Sequence, residues 1–414
     1  MSGYEPVFET TTRGLLIEPL DTMFFRDGRP FGAASSGTSR FPMPQTLMGM
    51  IKRHVRKSIG LPASQIHGLR GQNGHEHEWF SRLAVRGPWI AEVDRHGKVL
   101  DLFVPVPVNL MKAKNDEDWK TLTLLSPLEN GFDLPGWDGS QAGRPLLGEE
   151  PKSKDQLKPV TGFLGQAGLE KLLRGDEPTK QDIVKQSDLF GYEDRTGIGL
   201  DPARQTVKEG LIYTARHLRL LESRKDGSPG SRLVLYAEIG IEGDEDRWAS
   251  KIDESFPGGD LVMPFGGEGR RVHVRLAPER HTWPEAPPPP EPDEGGFTSI
   301  LISPTVFSRR AESNAPEWEP PDLGKRVAAA IGKPLPVSGW TMQSSGSRGG
   351  AQGTPKPARW ALDAGTVFFW QNGKNAPEDR ALPPRFQLAM CPSDRAAGWG
   401  TALRGVWRWR KGSE

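Results

Sequence analysis

Cysteine occurs once in the 414 residues, as Cys391. That excludes an internal disulfide and a cysteine-built zinc site, and it fits a reducing compartment. Charge of either sign is not in excess: 54 Lys and Arg against 53 Asp and Glu leave a net +1, so no global field marks a polyanion binder. There is no run of eighteen apolar residues, the length a spanning helix needs, and no membrane contact is expected. The opening residues, Met1-Ser-Gly-Tyr-Glu-Pro6, have neither the basic nor the apolar part of a secretory signal, so the expected location is cytoplasmic. No segment of 20 to 50 residues recurs, which excludes a solenoid. A Ser-His-Asp order, paired catalytic carboxylates and a Cys-His pair are missing too. The expectation is a protein without catalytic residues, metal or cofactor.

What is abundant is glycine and proline, 49 and 38 residues, a composition for short strands joined by turns and long loops. Thirteen Trp and 17 Phe supply core material although only 35% of residues are hydrophobic. The length suits about two to three domains. Residues 13–20 read as a buried strand, and Leu47, Ile51, Val55 and Ile59 give one apolar stripe on a helix over 45–59, stopped by Gly60 and Pro62. Strands are expected at 89–93, 99–108 and 121–125. Residues 211–221 and 232–241 read as a hairpin across Lys225-Asp-Gly-Ser-Pro-Gly230. Strands at 299–302 and 366–370 place the acidic proline-rich tract 284–296 inside a second domain. Residues 127–158 read as an exposed excursion. The architecture expected is α+β in two units, 1–205 and 206–414.

Cations are clustered although their sum is balanced. The segment Leu15 to Gly32 begins as a strand and breaks at Pro19 into a loop with Phe24, Phe25, Arg26, Arg29 and Phe31; the following helix exposes Lys52, Arg53, Arg56 and Lys57. Arginine planes and aromatic rings stack on unpaired bases while helix cations meet phosphates, so this arrangement suits an RNA grip. A solvated loop with an aromatic plug is the plainer alternative. Phe265-Gly-Gly-Glu-Gly-Arg-Arg271 could bring backbone N–H groups and Arg270 to a phosphate, or it is a tight turn before a strand. It lacks the Gly-Lys-Ser/Thr of a nucleotide-hydrolysing loop. Asp194-Arg-Thr-Gly-Ile-Gly-Leu-Asp201 reads as a second glycine-punctuated loop, with Arg195 and Thr196 as phosphate or ribose donors or Arg195 in an ion pair. His75-Glu-His-Glu78 has no ligand spacing and reads as a solvated loop. His54 is a structural histidine unless a 2′-hydroxyl comes within its reach. Trp407-Arg-Trp-Arg-Lys411 reads as a closing strand with indoles inward and guanidiniums outward.

In order along the chain stand Glu18-Pro-Leu-Asp21 with Phe25-Arg-Asp-Gly-Arg-Pro-Phe31, Pro44 to Gly49, Arg195-Thr-Gly-Ile198, Glu209-Gly-Leu-Ile-Tyr-Thr214, Gly266-Gly-Glu-Gly-Arg270, Ser338-Gly-Trp340, Pro355-Lys-Pro357 and Ala364-Gly-Thr-Val-Phe-Phe369. Together they resemble the Cmr-type (type III-B) CRISPR effector subunit of the RAMP superfamily that caps the crRNA 5′ end. The resemblance implies two ferredoxin-like, RRM-related domains and a non-catalytic RNA-binding role on the 5′ tag of crRNA. It also implies docking to the large polymerase-like subunit and to a backbone subunit, with target RNA met only indirectly. It carries RNA-binding roles onto Arg26, Arg29, Arg195, Thr196, Gly266, Gly267 and Arg270. The helix face adds Arg53 and Arg56. Two alternatives stay open: a metal-independent crRNA-processing endoribonuclease of the same superfamily with His54 as base, and the equivalent tag-binding subunit of a type III-A complex.

Overall fold

The computed structural model describes residues 12–25, 37–38, 41–62, 77–129, 146–147, 156–201, 203–204, 206–243, 248, 250–259, 261–307, 323–343, 352–371, 383–389 and 391–411. In chain order the elements that build its core are β1 (Arg13–Pro19), α1 (Pro44–Ser58), β2 (Leu83–Val93), β3 (Val99–Pro105), β4 (Phe163–Leu164), α2 (Gln166–Leu173), β5 (Ile183–Val184), β6 (Phe190–Asp201), β7 (Thr206–Leu220), β8 (Arg232–Ile241), α3 (Lys251–Ser255), β9 (Leu261–Pro264) and β10 (Arg271–Leu276). After a connector come β11 (Gly295–Leu301), β12 (Lys325–Ala330), β13 (Val367–Gln371), β14 (Arg385–Gln387) and β15 (Thr401–Arg408).

Two antiparallel sheets carry the molecule. The first has eight strands in the order β5-β4-β3-β2-β8-β1-β10-β9, the second five in the order β12-β13-β11-β15-β14. Period-two alternation assigns each side chain a face. In β1, Leu15 and Ile17 join Leu235, Ala237 and Ile239 under the α1 stripe of Leu47, Ile51 and Val55. Leu16 turns to the other face, where Trp89, Val234 and Tyr236 meet Ile300, Phe369, Leu403 and Trp407 of the second sheet. Phe297, Phe368 and Trp370 form a third layer beyond it. β2 and β11 are covered on both faces, and every residue in them is buried, Arg86, Glu92, Thr298 and Ser299 included.

Helix α1 starts with Pro44 in its first turn, where the missing N–H is not needed, and stops at Gly60, whose φ is +66°. Arg56 Nη1 donates to the Leu61 carbonyl (2.9 Å) while the Leu61 N–H donates to the Arg56 carbonyl (3.0 Å), which closes the helix end. The indole of Trp407 donates to the Phe297 and Trp370 carbonyls (3.1 Å each), Trp409 packs edge-on against it, and Arg408 is exposed, as the alternating pattern requires.

Two expectations change. The strands at 206–220 and 232–241 are not partners: β7 pairs with β6, and β8 sits between β1 and β2. Local turn residues favoured a hairpin, but β8 gains more by entering the buried centre of the sheet. Residues 194–201 are strand, not loop, because Asp194 and Glu193 find Arg216 and Arg219 on β7. Strands 232–276 complete the sheet begun by 13–105. Residues 284–294 of the proline-rich tract run in the connector between β10 and β11, and Gly295 and Gly296 open β11. Of residues 127–158, the segments 130–145 and 148–155 lie outside the described residues.

The connector is fastened at Tyr236, whose hydroxyl accepts from the His281 N–H (3.0 Å), and the His281 ring packs edge-on against Tyr236 and Trp283. Burial, with the Arg385 charge, pushes the His281 imidazole from 6.5 down to about 4 against the pull of Glu238. A folded pKa below the unfolded one means that the unfolded chain binds more protons between those values. This stability is complete above about pH 6.5 and lost progressively toward pH 4. Denaturant titrations at pH 7.5 and pH 5 should differ by on the order of 2 kcal/mol from this group. His281→Gln should flatten that part of the profile.

Candidate nucleic-acid interface

Three chain segments far apart in sequence meet beside the end of β1. The first is Leu20–Phe25, tied to the ribbon by the Met23 N–H to Leu218 carbonyl bond (2.7 Å) and its reciprocal (2.8 Å). The second is the β6–β7 ribbon. The third is the turn between β9 and β10, held to the first by the Gly267 N–H on the Phe24 carbonyl (2.8 Å). Gly266 has φ +84°, and a Cβ there would lie 2.5 Å from the Phe24 carbonyl oxygen, so the close approach needs glycine.

The meeting point is the carboxylate of Asp21. Arg195 Nη2 donates to its Oδ2 (3.1 Å), Arg219 Nη2 to its Oδ1 (3.0 Å) and Arg270 Nη1 to its Oδ2 (2.9 Å). Glu193 holds two of the same guanidiniums, accepting from Arg195 Nε (2.7 Å) and from Arg219 Nε and Nη2 (3.0 and 2.7 Å). Burial raises Asp21, but the Arg195 hydrogen bond, the Thr22 N–H and the charges of Arg195 and Arg219 outweigh it and hold the carboxyl below 3.8. Arg219 and then Arg195 do the same for Glu193. These carboxylates are ionised at neutral pH and fix the arginines as an array. Among the described residues Nη1 of Arg195 and of Arg219 meets no partner, and Arg270 Nε is buried without one. The two Nη1 donors match the oxygens of a phosphate.

Under the array lies His217, 2% exposed, sharing a hydrogen bond with Thr22 Oγ1 (3.1 Å) and packed on Phe24 at 5.0 Å. Burial first, then the charges of Arg270 and Arg195, push its pKa down. Phe25 packs edge-on against Phe265 at 5.0 Å, so Phe24 and Phe25 brace the loop from inside.

The structure therefore brings together Arg195, Arg270, Gly266 and Gly267. Thr196 is exposed on the other face of the ribbon, with the Asp194–Arg216 pair (2.7 and 2.9 Å), and stands apart from Asp21. Arg53 is exposed on α1 and Arg56 closes the end of that helix; neither makes an ion pair with the cluster. Arg26, Arg29 and Phe31 lie outside the described residues, yet both ends of their segment are at this site: Phe25 touches the glycine turn, and Gly37–Thr38 pairs in parallel with Ala215 and Arg216 of β7. His54 Nε2 donates to the Ser255 carbonyl (2.8 Å) and its ring packs on Phe256, which makes it a brace between α1 and α3 and leaves that nitrogen unavailable as a base. Glu78 pairs with Arg82 (2.8 Å), and His75 is outside the described residues. No group of three His, Cys, Asp or Glu side chains gathers among the described residues. Asp21, Glu193 and Arg219 were not singled out from sequence. The alternation of acid and base in 193–195 opposite 216–219 is the signal that could have found the last two.

A family profile described as CRISPR-associated protein (Cas_Cmr3) matches residues 15–407. No curated protein matches. Among solved structures, a chain of the type III-B Cmr-beta complex bound to cognate target RNA and AMPPnP, state 1, is 16% identical with a TM-score of 0.43, covering 86% of each chain. A chain of Cmr-beta bound to cognate target RNA is 17% identical with a TM-score of 0.44, covering 91% of this chain and 98% of that one. A chain of the apo state of Cmr-beta is 7% identical with a TM-score of 0.29 over 65% of this chain and 98% of that one.

Proposed function

The chain belongs to the Cas_Cmr3 family of CRISPR-associated proteins, and from that premise we propose that it is the non-catalytic RNA-binding subunit of a type III-B Cmr effector complex, holding the 5′ tag of crRNA. The observation that carries the reading is the convergence of Arg195, Arg219 and Arg270, from three chain segments, on Asp21. An array fixed in this way meets a phosphodiester without first ordering three long side chains, so less rotamer entropy is lost on binding. Phosphate contacts of this kind set the register of a nucleic acid, and base edges specify it. Arg26 and Arg29 enter from the segment anchored at the same place, and Thr196, Arg53 and Arg56 extend the contact outward.

We take the protein to be two ferredoxin-like halves divided at the connector 277–294. The order β1–α1–β2–β3 with α1 packed on the sheet supports the first half. Docking to the large polymerase-like subunit and to a backbone subunit belongs to the same reading. Among the described residues no helix is long and apolar enough to cross a membrane; we place the assembly in the cytoplasm.

Retention of tagged crRNA by the assembled complex tests the reading. Arg195→Ala and Arg270→Ala should each lower it by about tenfold or more, the size of a lost charge-assisted hydrogen bond. Arg29→Ala should act in the same direction. Unchanged retention in all three refutes the site. A defined cut of repeat RNA by the purified chain, abolished by His54→Ala, would replace the scaffold reading with the endoribonuclease one.

A further inference from the structure

The second sheet covers only part of the face of the first sheet that is turned to it. Where β8, β1, β10 and β9 run past that cover, period-two alternation puts Arg232, then Glu18 and Leu20, then Arg271, His273 and Arg275, then Val262 and Pro264 on one open surface. Two observations confirm the assignment. Arg232 pairs with Glu18 (3.3 Å), and a Cβ on Gly97 would meet both Leu16 and the Arg275 guanidinium. Leu20 is 51% and Val262 49% exposed, and Arg271 and Pro264 are exposed as well. Four basic groups face one carboxylate there. The Arg271 side chain makes no hydrogen bond or ion pair among the described residues, and His273 Nδ1 is buried without a partner.

This face is continuous with the arginine array. Leu20 and Arg271 are the chain neighbours of Asp21 and Arg270, and the Leu20 N–H donates to the Arg271 carbonyl (3.2 Å). The array therefore borders this cationic surface at the end of β1, where the strand pair runs into Asp21 and Arg270. We propose that the open face of β8-β1-β10-β9 carries the RNA strand onward from the arginine array, with its sugar–phosphate backbone along Arg271, His273 and Arg232 and its bases resting on Leu20 and Val262. The inference rests on the RNA-binding reading above. With no Phe, Tyr or Trp among these residues, the face tracks backbone and does not stack bases in a fixed order, so it tolerates any sequence.

Three strand spacings make the face about 14 Å wide. That accommodates about four nucleotides at a stacked spacing of about 3.4 Å, and fewer if the strand is stretched. The experiment is a ribonuclease footprint of crRNA in the assembled complex carrying Arg232→Gln or, separately, Val262→Asp, two positions on the face that take no part in the array. The expected result is end retention within about twofold of the unmodified complex. Protection should shorten by about two to four nucleotides, and the salt dependence should become shallower by about 0.7 for each phosphate the variant leaves unneutralised. An unchanged footprint with end retention intact overturns the inference. An unchanged footprint with loss of a neighbouring subunit also overturns it and gives the face to a protein. Failure of the array reading is a separate result, read from Arg270→Ala, which lowers end capture about tenfold or more if that reading holds.

Discussion

Glu238→Ala is expected to destabilise the fold by about 3–5 kcal/mol, the cost of leaving a buried charge without its partner. Glu238 is 1% exposed on β8 and accepts from Arg385 Nη1 of β14 (2.9 Å) and Trp283 Nε1 of the connector (3.0 Å). It thus joins both sheets and the segment between them. Burial raises its carboxyl, but the charges of Arg385 and Arg86 and the two hydrogen bonds outweigh it and hold the group ionised. Truncating it leaves the Arg385 guanidinium, 11% exposed and lying over the Trp283 ring at 5.2 Å, with no counter-charge from Glu238. Arg385→Ala alone should cost a similar amount for the mirror reason. The double variant should cost clearly less than the sum, because neither charge is then stranded. Denaturant midpoints of the four proteins read this directly, and simple additivity would show that the pair is not coupled. Glu238→Gln keeps the volume and a hydrogen-bond acceptor and should fall between.

How much of this was legible in the sequence depended on how local each signal was. Helix α1 was legible because its stripe, its first-turn proline and its terminal glycine all lie within twenty residues. Strands β1, β11 and β13 were legible as short apolar runs, although a run says nothing of its neighbours. The partnership of β8 with β1 and β2, over more than a hundred residues, was not, and the nearby turn residues pointed to the wrong mate. Arg195 and Arg270 were singled out through glycines that mark close backbone approach, and the structure brings both to Asp21. Asp21 stood out only as part of a motif, since one carboxylate after a strand looks like any other until three arginines arrive from residues 195, 219 and 270. The Asp194–Asp201 segment read as a loop because its glycines outweighed the alternating charges that pair it across the ribbon.

Substituting valine at Gly266 is expected to remove RNA retention as completely as Arg270→Ala while leaving both sheets folded. A side chain at φ +84° costs about 1–2 kcal/mol in backbone strain. The larger effect is steric: Cβ would sit 2.5 Å from the Phe24 carbonyl oxygen and 2.9 Å from the Phe25 ring, neither of which is a free side-chain end. The turn must therefore move away from Leu20–Phe25, breaking the Gly267 N–H to Phe24 bond and withdrawing Arg270 from Asp21. Gly269 in the same turn is the control. Its φ is +64°, but a Cβ there meets nothing within 4 Å, so Gly269→Ala carries only the backbone strain. Glu268 between them already holds φ +56°, which shows that the turn tolerates one such residue where space is open. Retention of tagged crRNA should fall about tenfold or more for Gly266→Val and by less than about threefold for Gly269→Ala, the ratio expected when steric overlap and not strain dominates. Equal losses in the two variants, with equal melting temperatures, would mean that the apposition of the glycine turn and the Phe24 loop plays no part in holding RNA.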